Sequence, residues 1–241
     1  MRKPRAAPVV LAAAAAALAG CAAHMAAEPP AGASLAGTWK LDPAASDDPQ
    51  KVLDKMRAEA FKILARQYAQ AQAQAPAPVA RPGKRGATGG AAGSQDAEEV
   101  APPPPPGPDG RRPDPLRRSP MAHVIETAVD RGDFLTVQQG PGEFVLDYGT
   151  SQRSFTPGAH SVVSAESGVG DQTSGWKGRA YVIRVRAQVG PDVTEEYALS
   201  ADGRQLIEKL HVGSGELPAV ELTRVYRPTT EAAPRHLPEN D

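Results

Sequence analysis

Three ionisable side chains sit where an alternating pattern otherwise places hydrocarbon. Glu195 interrupts Val193, Tyr197 and Leu199; Glu208 interrupts Leu206, Leu210 and Val212; Arg224 interrupts Val220, Leu222 and Tyr226. Residues two apart on a strand share a face. The pattern therefore turns all three charges toward an interior, where each has to pair, reach water or meet a ligand. Two carboxyls and a guanidinium at one end of an apolar cup would recognise a polar group on a small molecule. Two plainer arrangements use the same residues: a bulge or register shift that turns them outward, or a network that serves the fold alone.

Other chemistries find less support. His24, His123, His160, His211 and His236 are dispersed with no pair at liganding spacing, and the single cysteine is Cys21, so no metal site is expected. There is no nucleophile-elbow string, zinc-protease helix motif or phosphate loop. Ser214, between glycines in VGSGE, fits a hairpin turn better than a nucleophile. The expectation is a non-enzymatic chain without a cofactor. Trp39, Trp176, Tyr181 and Tyr197 have the spacing of strand residues and are expected to fill a core.

The amino-terminal end carries chemistry of a different kind. Arg2, Lys3 and Arg5 precede an apolar run from Val9 to Leu18, and Leu18-Ala19-Gly20-Cys21 follows. That run is too short to span a bilayer, and the order is that of a secretory signal peptide over residues 1–20. The Leu-Ala-Gly-Cys string resembles the lipobox of bacterial lipoproteins. The resemblance implies cleavage before Cys21, diacylglycerol on its thiol and a membrane as partner through that lipid anchor. An ordinary cleavage site within Ala-Gly-Cys-Ala-Ala is the other reading. With Cys21 as the only cysteine, an exported chain has no internal disulfide despite an oxidising compartment. Ala22 is not the aspartate that resembles an inner-membrane retention signal, so the expected location is the outer membrane, facing the periplasm. Removing Arg2, Lys3 and Arg5 from the 27 Lys and Arg leaves fewer cations than the 28 Asp and Glu; no nucleic-acid footprint follows from that balance.

The elements that must position the charged trio begin after a short Pro-bearing stretch, residues 21–34, expected to be a flexible tether. Residues 35–41, LAGTWKL, have the character of a first strand. Asp47, Asp48 and Pro49 then start a helix, with an acidic cap and a proline suited to the first turn. Val52, Leu53, Met56, Ala60, Phe61, Ile63, Leu64 and Tyr68 fall on one side of it, with Arg57 among them; the arginine stem can lie along the surface with its guanidinium in water. Strand and helix together span residues 35–75. Residues 76–120 hold 12 prolines and no aromatic residue, too little apolar area to offset ordering entropy, so a disordered linker is expected. From residue 121 to 228 short β-rich runs alternate with turn signals: 122–129, 133–138, 143–148, 153–155 with 160–163, 172–176, 180–189, 193–200, 204–212 and 219–226. Arg184 or Arg186 is expected to face Glu196 across a hairpin. Residues 229–241 form a disordered tail. The fold class is mainly β: an antiparallel meander forming a lipocalin-like barrel or strongly curved sheet, with one amphipathic helix and the long Pro/Gly-rich insertion.

Gly37-Thr38-Trp39 on the first strand resembles the Gly-x-Trp signature of lipocalins, barrels that hold apolar ligands in a cup. The resemblance implies that Arg224, on the last strand, lies over Trp39 and closes the narrow end as a stacked cation. More widely, GTWKLDPAASDDP, a low-complexity interruption, and then WKGRAYVIRV, TEEYALSADGRQL and ELTRVYRP are similar to uncharacterised lipocalin-like envelope proteins of proteobacteria. The leading expectation is a membrane-anchored periplasmic lipoprotein that binds a small apolar ligand or envelope component. The alternative is an interaction or envelope-assembly factor that meets an envelope protein through the sheet exterior and the helix, with no bound ligand.

Overall fold

The computed structural model describes residues 25–74, 113–165 and 168–231. Alternating apolar and polar residues build ten strands: β1 (Gly37–Leu41), β2 (Phe134–Gly140), β3 (Glu143–Asp147), β4 (Gln152–Phe155), β5 (His160–Ala165), β6 (Gly168–Lys177), β7 (Ala180–Ala187), β8 (Asp192–Leu199), β9 (Leu206–Gly213) and β10 (Val220–Pro228). They form one antiparallel sheet in the order β4-β3-β2-β1-β10-β9-β8-β7-β6-β5. Strand β1 pairs with β10, Leu41 opposite Tyr226, and with β2 on its other side, Trp39 opposite Leu135. The meander thus curls round on itself, and the sequence neighbours β4 and β5 become its two edges. Among the described residues no ladder joins them, so the strongly curved sheet has one open seam.

Among the described residues, two helices and not one lie between β1 and β2: α1 (Pro49–Gln74) and α2 (Pro120–Asp130). The second replaces the strand expected over 122–129. Ser119 caps it by accepting from the Ala122 amide, and Pro120 stands in its first turn. Its buried residues Met121, Ala122, Ile125 and Ala128 recur at the three- and four-residue spacing of a helical face rather than at every second position. Both helices cover the same end of the sheet, where Met56, Ala60, Met121 and Ile125 pack with Leu210, Val212 and Leu222. Only the first three turns of α1 are buried there; beyond Ala60 it carries no buried side chain among those described, and Leu64 is 40% exposed. Arg57 ends at the surface, partly exposed and paired with two carboxylates. Its guanidinium meets Asp54 at 2.6 Å and Asp114 at 3.1 Å. That contact and the buried Leu116 order the chain from residue 113, within the stretch expected to be a disordered linker to residue 120.

The described part of the expected tether, residues 25–34, is docked. Ala26 exchanges two backbone hydrogen bonds of 2.8 Å with Trp176 of β6, Ala33 is buried, and the Leu35 amide donates to Gln139 Oε1. Residues 25–34 therefore run along the sheet instead of hanging free. Gly175 makes this approach possible: a Cβ there would lie 2.8 Å from both Ala26 O and Met25 Cβ. In the β7–β8 ladder Arg184 faces Thr194, and Glu196 faces Val182, with Lys209 on its other side. The expected Arg–Glu pairing is displaced by that register. Cys21, His24, His236, most of the linker and the end of the tail lie outside the described residues.

Candidate functional site

The interior of the curled sheet is layered. At the end away from the helices, Leu35, Trp39, Phe144, Phe155, Trp176 and Tyr181 form an apolar plug. The Phe144 and Tyr181 rings stack with centroids 3.6 Å apart, and Trp176 meets Tyr181 edge-on at 5.4 Å. At the other end lies the helix-covered cluster already described. Between the two is a polar layer that holds Glu195 and Glu208, and all three charges of the trio, Glu195, Glu208 and Arg224, are buried.

Glu195, from β8, is the hub. Its Oε2 accepts from Arg153 Nη1 at 2.6 Å and from the Tyr197 hydroxyl at 2.9 Å, while Oε1 accepts from Arg131 Nη2 at 3.1 Å. The Tyr197 hydroxyl also lies 3.1 Å from Glu208 Oε1 and 3.1 Å from the Tyr148 hydroxyl. Its one proton can serve only one carboxyl at a time. Tyr226 donates to Glu208 Oε2 at 2.8 Å, and Arg131 Nη1 stands 3.7 Å from Glu208 Oε1. These six residues arrive from five places: Arg131 from the residue after α2, Arg153 from β4, Tyr197 and Glu195 from β8, Glu208 from β9 and Tyr226 from β10.

Electrostatics follow from this packing. Burial opposes ionisation of Glu195, but Arg153 and Arg131 outweigh it and hold the carboxyl far below the usual range. Burial likewise disfavours the charged guanidiniums, and Glu195 reverses the balance for both Arg131 and Arg153. Burial, then the neighbouring carboxyls, push the Tyr197 and Tyr226 hydroxyls well above their ordinary value. Tyr181, in the plug, is pushed up to about 12, by burial.

Arg224 is directed elsewhere. Although it sits opposite Glu208 in the β9–β10 register, its guanidinium donates to Ala128 O at 2.6 Å and Gly132 O at 2.5 Å. A cation there satisfies carbonyls at the C-terminal end of α2 and complements the helix dipole. It does not close the barrel over Trp39. Trp39 faces Pro228, four positions along β10 from Arg224 and roughly 13 Å away at strand rise. The indole N–H instead donates to Leu35 O at 3.1 Å, and Arg224 lies over the Tyr226 ring, 5.5 Å from its centroid.

A cleft of about 560 Å³ opens at the seam, bounded by α2, the turn before β4 and strands β5–β8. Val124, Val163, Val185 and Val193 supply its apolar wall, and Arg131, Arg153 and Glu195 its charged end. The side-chain exposures there are 25% for Arg153, 14% for Arg131 and 4% for Glu195. The carboxylate is thus the deepest of the three. Alternation in the sequence singles out Glu195 and Glu208 but misses Arg131 and Arg153. Arg153 alternates with the buried Phe155, a signal that was available. Arg131 follows a helix and has no periodicity to read. Among the described residues, no three His, Cys, Asp or Glu side chains gather as a metal-holding group.

No protein-family model and no curated protein sequence matches the chain. Among solved structures, the chain is similar to apo lipid binding protein 8 of Caenorhabditis elegans at 10% identity and a TM-score of 0.41, over 83% of this chain and 100% of that one. It is also similar to a fatty acid-binding protein from brain tissue of Drosophila melanogaster at 18% identity and a TM-score of 0.31, over 39% of this chain and 70% of that one. A secretory abundant heat soluble protein of Ramazzottius varieornatus matches at 12% identity and a TM-score of 0.34, over 45% of this chain and 85% of that one.

Proposed function

We propose that this chain is a non-enzymatic binding module that takes a small apolar or amphiphilic ligand in the cleft between α2 and β5–β8, and that lipid on Cys21 holds it to the outer membrane, facing the periplasm. The cleft carries the reading. Its volume of about 560 Å³ and its valine-rich wall with a few convergent polar groups are what a small-ligand site requires. The plug and the helix cover fill the two ends of the sheet, so the seam is the approach to the polar layer. The anchor rests on the leader and the Leu-Ala-Gly-Cys string. Ala26, five residues after Cys21, is bonded to β6, and five extended residues reach at most about 18 Å. An anchored module would therefore lie against its membrane rather than search the envelope on a long tether.

The test is native purification of the exported protein followed by solvent extraction and mass spectrometry of both fractions. The reading expects an acylated amino-terminal Cys21 and a co-purifying small molecule, which a Val185→Trp substitution in the cleft wall expels. An unmodified thiol sinks the anchor; an empty cleft that also takes up no apolar dye sinks the binding site. A second reading has one observation in its favour, the stretch of α1 beyond Ala60 that presents Leu64 with Phe61, Ile63 and Tyr68 incompletely buried. A stoichiometric envelope protein that stays bound to the Val185→Trp variant and is lost on Leu64→Glu would establish it.

A further inference from the structure

We infer that Glu195 is a built-in counterion that reserves the cleft for uncharged amphiphiles, molecules with an apolar body and a hydroxyl, carbonyl or ester head. The inference rests on the cleft being a ligand site and names the class of ligand it takes. A carboxylate- or phosphate-bearing ligand would need the two guanidiniums at the charged end, and that position is filled from within. Both oxygens of Glu195 are engaged, one by Arg131 Nη2 and the other by Arg153 Nη1 and the Tyr197 hydroxyl.

The carboxylate cannot easily step aside. Glu195 stands in the middle of β8, facing Ile183 of β7 on one side and Leu210 of β9 on the other, so the backbone that carries it is held in two ladders. An entering anion would have to strip Glu195 of its donors and leave it buried and unpaired, the costly half of a broken ion pair. Arg131 Nη1 also faces Glu208 at 3.7 Å, so two guanidiniums are matched by two carboxyls and no bare positive field is left to draw an anion in. A cationic head fares no better, because it meets the more exposed arginines before the buried carboxylate. What the cleft offers an incoming head is neutral: Thr127, Thr150, Ser151, Ser164 and Gln172 line it alongside the valines. Asp130 adds one carboxylate to the lining, which further disfavours anions.

The experiment uses the full chain with Cys21→Ser, so that no acyl chain competes, and displaces Nile red with dodecanol, dodecanoate and dodecylammonium at about pH 8, where the acid is ionised. Dodecanol is expected to bind at least about tenfold more tightly than either charged ligand, and Glu195→Gln is expected to move the preference toward dodecanoate by a similar factor. Arg153→Gln, which leaves the carboxylate in excess, should instead move it toward dodecylammonium. The comparison in the unsubstituted cleft stands whether or not a variant folds. Equal or tighter binding of dodecanoate by the unsubstituted cleft, or a folded Glu195→Gln protein with unchanged preference, overturns the counterion role and leaves the binding module standing. If the chain takes up neither the dye nor any of the three ligands, it is the binding module itself that falls.

Discussion

Glu195 is held by three donors inside a protein interior, and its removal would leave two arginines without their shared carboxylate. Replacing Glu195 by Leu is expected to cost on the order of 3–5 kcal/mol, because the stranded guanidiniums are far more expensive than the pair was valuable; urea unfolding at neutral pH measures it. The same residue sets the acid behaviour. Its folded pKa lies below its unfolded one, so its contribution is present above roughly pH 4.3 and is lost as pH falls through the folded value. Tyr197 and Tyr226 work in the opposite sense. Their folded pKa values are raised, so the stability they contribute is present below about pH 10 and drains away as pH climbs beyond it. A Tyr197→Phe, Tyr226→Phe double variant should therefore lose less stability between neutral and strongly alkaline pH than the parent, as followed by the urea midpoint. An alkaline loss as steep as the parent's would show that these hydroxyls are not its source. At this scale the sequence revealed the two buried carboxyls, since each breaks a period-two apolar run. It concealed Arg131, which lies outside any run.

The elements bring these residues together through two unobtrusive devices. Helix α2 ends where Arg224 accepts the role of C-terminal cation, and that ending fixes Arg131 within reach of Glu195. Gly175 does the equivalent at the seam. Its φ of +157° and the 2.8 Å approaches of Ala26 O and Met25 Cβ leave no room for a side chain, so Gly175→Val is expected to unseat residues 25–27 from β6. Hydrogen exchange checks this directly: the Ala26 and Trp176 amides, each bonded at 2.8 Å, should lose protection while β8 and β9 amides keep theirs. Retained protection at Ala26 would mean that the segment is held by contacts other than this approach. Only the helix was partly legible in the sequence. Ser119-Pro120 is a helix start in plain view, yet the β-branched and small residues that follow also suit a strand, and only the burial of Met121, Ile125 and Ala128 on one face decides between them.

For the whole molecule, the decisive fact is that β1 lies inside the sheet, between β10 and β2, although a long stretch of chain separates it from both in sequence. The two pieces on either side of that stretch are interlocked by two ladders and by the helix cluster. A specific protease site inserted between Gly83 and Lys84 should therefore give, on cleavage, two fragments that co-migrate as one species in gel filtration and part only in denaturant. Spontaneous separation in native buffer would contradict the placement of β1. This arrangement also explains why the meander closes on one side and stays open on the other. The first and last strands find each other, while β4 and β5, joined by a short connection, splay apart and leave the seam at which the cleft lies.

The amino-acid sequence on its own determined the mainly β character, most strand positions, the first helix and the inward direction of Glu195 and Glu208, because periodicity and turn chemistry are local and leave their mark residue by residue. It could not determine which strands meet across the barrel, and the Trp39–Arg224 pair failed for that reason: register is set by two distant segments jointly. The docking of residues 25–34, the choice of helix for 120–130 and the convergence of Arg131 and Arg153 on one carboxylate were likewise decided by the tertiary structure. Each depends on burial against a surface that exists only once the sheet has curled.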